Sequence, residues 1–196
     1  MLPEDDLDAI AGFAWAELTN AATDGASKFR HAQLATIGAQ GWPQSRTIIL
    51  RHADTQRREV GFHTDRRSTK AAELAANNSV AVVAYDRPRG LQLRLWGQAE
   101  LYFDDSRAEQ TWAARYPPLR TPYRAQFPPG TPLDIPTAAD PSDTARNPAN
   151  PDAGFENFAF VAIRVVRLEW LHLRPTGHRR ARFEWDGGWQ GNWLAP

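Results

Sequence analysis

The chain of 196 residues contains no cysteine. That absence excludes disulfides, thiolate-bound zinc, iron–sulfur clusters and thiol catalysis. It also lacks a surplus of either charge, with 23 Lys and Arg against 23 Asp and Glu. A nonspecific nucleic-acid binder needs excess cations, so that class is disfavoured, whereas a local basic site for a small anion is not. No apolar run approaches the ~20 residues of a membrane-spanning helix. There is no Gly-rich phosphate loop of the Rossmann or Walker kind and no Gly-x-Ser-x-Gly elbow. His31, His52, His63, His172 and His178 form no His-x-x-x-His pair, so a metal site has no support. The acidic start is unlike a secretory or transit segment, and the expected compartment is the cytoplasm. The length suggests one domain, 1–196.

Two features of what is present are informative. The cations are 21 Arg and only two Lys, Lys28 and Lys70. A GC-rich genome would produce that bias, and so would phosphate recognition, for which the planar arginine fork is suited. There are also 8 Trp, whose large faces suit interfaces and flat aromatic ligands.

Along the chain, residues 4–20 read as an amphipathic helix with acids in its first turn. The period then changes to two. Strands are expected near 32–37, 44–51, 59–64, 80–85 and 91–103, the last bent at Gly97, with short helices at 68–77 and from 106 to 114. Residues 117–154 hold ten of the 15 prolines and read as a long irregular insert. Strands near 158–173 and 179–185 follow, then a Gly187-Gly188 turn and residues 189–194. Short connections between six or seven strands predict a mainly β fold, an antiparallel barrel with peripheral helices.

Three basic clusters are candidate anion sites. Arg66, Arg67 and Lys70 sit at the start of the 68–77 helix beside Ser68 and Thr69. Cations are unfavourable at the positive end of a helix dipole unless an anion joins them, or unless the turn is merely solvated. Arg46-Thr47-Ile48-Ile49-Leu50-Arg51 carries an arginine at each end of an apolar strand, pointing to opposite faces. His178, Arg180 and Arg182 share one face of a late strand, where they repel unless spread in water or met by an anion.

These clusters, in this order, resemble the pyridoxamine 5′-phosphate oxidase family, and more closely its shorter-loop FMN-binding relatives. The resemblance runs from about Phe29 to Pro196. It includes Phe-Arg-His-Ala-Gln-Leu-Ala-Thr-Ile-Gly at 29–38, Arg-Thr-Ile-Ile-Leu-Arg at 46–51, Phe-His-Thr-Asp at 62–65 and Ser-Thr-Lys-Ala-Ala-Glu-Leu at 68–74. It continues with Gln-Leu-Arg-Leu-Trp-Gly-Gln-Ala-Glu at 92–100 and the tail from His178. It implies an FMN-binding split β-barrel that forms a homodimer with FMN at the interface.

By position, the resemblance places Arg46, Thr47, Ile48, Ile49, Leu50 and Arg51 along the FMN, with Arg46 near the phosphate. It adds His63, Thr64, Thr69, Lys70 and Gln92, with Trp170 and Arg182 supplied by the partner subunit. Arg51, His178 and Arg180 are the implied substrate-side residues. Three departures stand out: Thr69 replaces a usual arginine, Arg51 replaces a lysine, and the types at 178 and 180 are exchanged. The implied activity is oxidation of a small substrate, phosphorylated or not, by hydride transfer to FMN. A flavin-storage protein, or a relative binding haem or a deazaflavin, is the alternative.

Overall fold

The computed structural model describes residues 3–196. The first element, α1 (Leu7–Thr23), buries Ile10, Ala14, Trp15, Leu18 and Ala21, which recur at the spacing of one helical face. Asp6 caps it by accepting the Ala9 N–H at 3.0 Å, and Asp8 lies in the first turn. The helix starts where this cap dictates and runs three residues beyond the expected end. Its buried face lies against the sheet, with Trp15 6.0 Å from Trp189.

Nine antiparallel strands follow: β1 (His31–Ile37), β2 (Pro43–Ile49), β3 (His52–Asp54), β4 (Glu59–Asp65), β5 (Ser79–Asp86), β6 (Leu91–Tyr102), β7 (Phe158–His172), β8 (Arg179–Trp185) and β9 (Trp189–Leu194). Helix α2 (Thr69–Ala76) links β4 to β5, and α3 (Ser106–Ala113) follows β6. The spatial order is β2-β1-β5-β6-β7-β4-β3, with β8 on β7 and β9 on β8.

The strand expected at 44–51 is β2, which ends at Ile49, and β3, a short strand the sequence did not predict, begins at His52. β2 pairs with β1, whereas β3 pairs with β4. Between them the Leu50 N–H donates to the Arg30 carbonyl at 2.9 Å and the Arg51 N–H to the Gly61 carbonyl at 2.8 Å. The two ends of the sheet are therefore consecutive in the chain. They are joined by this step instead of by a ladder, which makes the fold a split barrel, as expected. β7 is long enough to serve two partners on one edge. Its first half pairs with β4 and its second half with β8, while β6 runs along the other edge. The predicted bend at Gly97 is a bulge between Trp96 and Gly97. A side chain at Gly97 would collide with the Arg164 carbonyl oxygen, so only glycine permits β7 to come so close.

Alternation along the strands sends Leu34, Val82, Leu93, Leu95, Ile163 and Leu168 into one core. A second cluster of Trp112, Tyr123, Phe158, Phe160 and Ala162 lies under α3. It also anchors the proline-rich insert, which forms 3-10 turns at Pro117–Arg124 and Pro136–Ala139 and one helical turn at Asp143–Arg146. Buried Arg120 donates to the Trp112 carbonyl at 2.8 Å and the Pro151 carbonyl at 3.2 Å, and its guanidinium lies over the Trp112 ring. Arg124 donates to the Ala153 carbonyl at 2.9 Å. The insert is free of strands, as expected, but arginine–carbonyl bonds pin it to the domain.

Candidate functional site: a phosphate cradle and a cationic cavity

The end of β4 and the start of α2 bring Thr64, Ser68 and Lys70 together. Lys70 donates to Thr64 Oγ1 at 2.9 Å, and Thr64 and Ser68 hydroxyls lie 3.2 Å apart. Ser68 is the N-cap residue of α2, yet its side chain makes no capping bond. It is buried and turned toward Thr64, so the first N–H groups of α2 keep their donor capacity. Burial, followed by the nearby Arg46 guanidinium, lowers the Lys70 pKa, and no carboxylate pairs with Lys70 among the described residues. An ammonium, two hydroxyls and a helix start, with positive charge left over, form the donor set that a phosphate monoester requires.

The structure also sorts the neighbouring cations. Arg67 is neutralised by Asp65, with bonds of 3.0 and 2.7 Å, and Arg66 by Asp104 at 2.6 Å. Neither needs an external anion, so of the three cations expected at this helix start only Lys70 remains available. Arg46 bonds Thr36 and pairs with buried Glu73 at 2.7 Å, tying α2 to the β1–β2 hairpin. Thr69 is exposed at the helix start. Ile48 and Leu50 are core residues, so only their backbone can face a ligand. Thr47 and Ile49 are exposed, and the Thr47 hydroxyl accepts from Gln33 at 2.9 Å.

One residue before Thr64, His63 points to the opposite side of β4, into a cavity of about 680 Å³. Arg51, His52, His63, Arg107, Arg115 and Phe160 contribute to its wall. Arg115 donates to His63 Nδ1 at 2.5 Å. Burial, reinforced by Arg115, Arg51 and His52, drives the His63 pKa down to about 3. The imidazole is thus neutral and accepts at Nδ1. Burial and then the Arg30 and Arg115 charges also push Arg51 below its usual value. Burial pushes Tyr123 up, so its hydroxyl stays protonated and offers Arg115 no counter-charge. Arg51 and Arg115 form no ion pair among the described residues. They give the cavity a positive sign that an anionic ligand would complete. The resemblance puts the family's substrate-phosphate residues around 110–118, where Gln110, Trp112, Arg115 and Tyr116 stand, without fixing the register; nothing local marks Arg115 as the neighbour of His63.

A third group lies elsewhere. Buried Glu169 on β7 accepts from Arg182 at 2.9 Å and from Arg180 at 2.7 Å, with Arg94 at 3.4 Å. Burial raises the Glu169 pKa, but the Arg180 and Arg182 bonds outweigh it and hold the carboxylate low. Gln92 pairs in register with Leu171, which pairs with Arg180, so it shares this face. His178 is exposed and accepts from the Arg174 N–H at 3.1 Å. Phe160 in the cavity and Glu169 are nine residues apart on β7, about 30 Å of strand. Within one protomer, Arg51 is therefore not brought together with His178, Arg180 or Arg182.

Trp170 differs from its expected placement. It pairs with Ala181, is completely buried in the core of its own protomer, and faces away from Arg182. The residue of β7 that shares the Arg180 face is Leu171. Because side chains alternate, a one-residue difference in register exchanges an interface residue for a core one.

These observations define an antiparallel split barrel with a cluster of phosphate-compatible donors beside a cationic cavity. Residues 13–103 match the family model described as pyridoxamine 5′-phosphate oxidase, FMN-binding domain. That stretch runs from within α1 to the end of β6, and the cofactor named by the matching family model is FMN. The chain is 28% identical to pyridoxine/pyridoxamine 5′-phosphate oxidase of Alcanivorax borkumensis over 173 residues, covering 83% of this chain and 78% of the relative. It is 35% identical to the Alkalilimnicola ehrlichii enzyme of the same name over 109 residues, 55% of this chain and 53% of that one.

Two solved structures share the fold. A pyridoxamine 5′-phosphate oxidase-related, FMN-binding protein from Nostoc punctiforme superposes with a TM-score of 0.74 at 21% identity, covering 95% of this chain and 96% of the other. PhzG from Burkholderia lata, in complex with tetrahydrophenazine-1-carboxylic acid, gives 0.70 at 23% identity, covering 95% and 89%. No helix among the described residues is long and apolar enough to cross a membrane.

Proposed function

We propose that the protein is an FMN-dependent oxidoreductase acting on a small anionic substrate, and that the working unit is a homodimer. The observation that carries this reading is the pair Arg51 and Arg115, unpaired beside neutral His63 in a cavity one residue from the phosphate cradle. Lys70, Thr64 and the first turn of α2 would hold the FMN phosphate. Bound FMN supplies the two-electron acceptor chemistry. Arg51 and Arg115 bind the anionic end of the substrate and orient it. His63 stays neutral, fixing Arg115 without adding a further charge. Phe160, Tyr116 and the insert residue Leu119 line the same cavity and supply its apolar wall.

The dimer is proposed because His178, Arg180 and Arg182 reach a cavity of this kind only when a second copy supplies them. Relatives named for phosphate-bearing vitamers, and a structural neighbour holding a carboxylic acid, support an anionic substrate without choosing between the two groups.

The test is an absorbance spectrum of the purified protein followed by turnover of pyridoxamine 5′-phosphate and pyridoxine 5′-phosphate in air. A flavin spectrum with pyridoxal 5′-phosphate formed establishes the oxidase activity. A flavin spectrum with both compounds untouched directs the search to other anionic substrates, with Arg51, His178 and Arg180 as the altered positions. A flavin-loaded protein that turns over no anionic reductant or oxidant refutes the enzymatic reading and leaves flavin storage.

A further inference from the structure

The cavity does not end at its outer rim. Arg57 and Arg107 line it and also line a second recess of about 410 Å³, which Arg58 and Arg164 complete. Both spaces open on the same side of the sheet. Glu59, Gly61 and His63 alternate onto one face of β4, and their partners Arg164, Ala162 and Phe160 form the matching face of β7.

The arginines around this double cavity fall into two kinds. Arg107 is neutralised by Glu59 at 2.5 Å, and Arg57 lies 3.8 Å from Asp54. Those two carboxylates are thereby committed. Arg51 and Arg115 at one end, and Arg58 and Arg164 at the other, form no ion pair among the described residues. Each is a mutually repelling couple. The Arg115 charge acts on Arg51 and the Arg164 charge acts on Arg58, in both cases adding to a larger effect of burial. Arg58 cannot relax freely. Its guanidinium stacks 4.1 Å from the Trp185 ring and donates to the Val165 carbonyl at 3.3 Å, and its backbone is held at φ 56. A chain with zero net charge thus holds four uncompensated guanidinium groups in one double cavity, grouped two and two.

We infer that the second recess is an anion subsite, and that the ligand of this protein carries two anionic groups at opposite ends, one held by Arg51 and Arg115 and the other by Arg58 and Arg164. The inference rests on the proposed reading of the first cavity as the substrate site. Arg51 and Arg164 flank β4, two strand spacings apart and two residues offset along it, so their backbones are about 12 Å apart. Arg107, already paired with Glu59, lines both spaces and so separates the two couples, an arrangement that suits an extended dianion. A dianion gains over a monoanion by making its second contact intramolecular, and the gain is greatest when its length matches the span.

The test uses the FMN-loaded protein and calorimetric titration with alkyl monophosphates and α,ω-alkane bisphosphates of increasing chain length. The expected result is an optimum length at which the bisphosphate binds at least about tenfold more tightly than the monophosphate. Arg164→Ala and Arg58→Gln, which each remove one charge of the couple, abolish that advantage and leave the monophosphate affinity within about twofold. Arg164 is exposed, so its truncation leaves the core intact. Equal affinities for both series at every length, with the monophosphates still binding, overturn the second subsite and leave the first cavity standing. An advantage that survives both variants also overturns it. Failure of both series to bind removes the proposed substrate site and the inference together.

Discussion

Replacing Lys70 with alanine tests the phosphate cradle most directly. The ammonium is half-buried, bonded to Thr64, and without a carboxylate partner. At about 4 Å from a phosphate oxygen, and at an effective dielectric constant of about 20, its gross attraction is about 4 kcal/mol per unit charge. Much of that is offset by lost hydration, and charge-assisted hydrogen bonds typically net about 1.5–3 kcal/mol. Lys70→Ala should therefore weaken FMN binding by about 10- to 150-fold. Riboflavin, which lacks the phosphate, should lose less than about twofold. Apo stability should change little, because burial and Arg46, which disfavour the ammonium, outweigh the attraction of Asp65 and Glu73. The assay is quenching of flavin fluorescence as apoprotein is added, at low and at moderate salt, with thermal denaturation of the apoprotein alongside. Equal losses for FMN and riboflavin would refute the argument, and so would a wild-type preference for riboflavin.

Three further outcomes are expected. Because His63 titrates at about 3 in the folded chain and near 6.5 when unfolded, the unfolded state binds the extra proton as pH falls. The stabilisation is complete above pH 6.5 and is lost as pH falls toward 3, by roughly 2 kcal/mol between pH 7.5 and 5. Urea denaturation at both pH values should show wild type losing that much more stability than His63→Gln, in which His52 and His172 still contribute, and identical pH slopes would contradict the burial argument. Gly61→Ala should cost about 1–3 kcal/mol, since its Cβ would lie 2.6 Å from the Phe160 ring and 2.9 Å from the Val161 carbonyl oxygen. Full stability with an unchanged cavity would show that this face is looser than described. In a two-fold dimer, Lys70→Ala and Arg182→Ala homodimers should each bind FMN poorly. Refolding them together should restore tight binding at about a quarter of the sites, since half the dimers are mixed and one site in each is intact. No recovery would mean that Arg182 does not complete the partner's site.

Much of the architecture is determined locally. Period-two alternation marks β1, β5 and β6. Asp6 and Asp105 mark the starts of α1 and α3 by accepting the Ala9 and Ala108 N–H groups. Gly97 marks the bulge because no side chain fits there. The Thr64, Ser68 and Lys70 group is also legible, since it needs only the end of one strand and the start of the next helix.

Tertiary structure decides which charges are free. Arg66, Arg67 and Lys70 look equivalent in sequence, yet Asp104, 38 positions from Arg66, and Asp65 neutralise the first two and leave the third. Arg115 becomes a neighbour of His63 only because α3 packs on β7 above β4, 52 positions away in the chain. Trp170 lies in the core, and Arg180 and Arg182 gather on Glu169, for a related reason. Alternation shows that adjacent side chains oppose each other, but the pairing of β7 with β8 selects which of the two faces the interior. Local pattern is written by backbone geometry within a few residues. Net charge at a point is the sum over every segment folded around it, and that sum exists only in three dimensions.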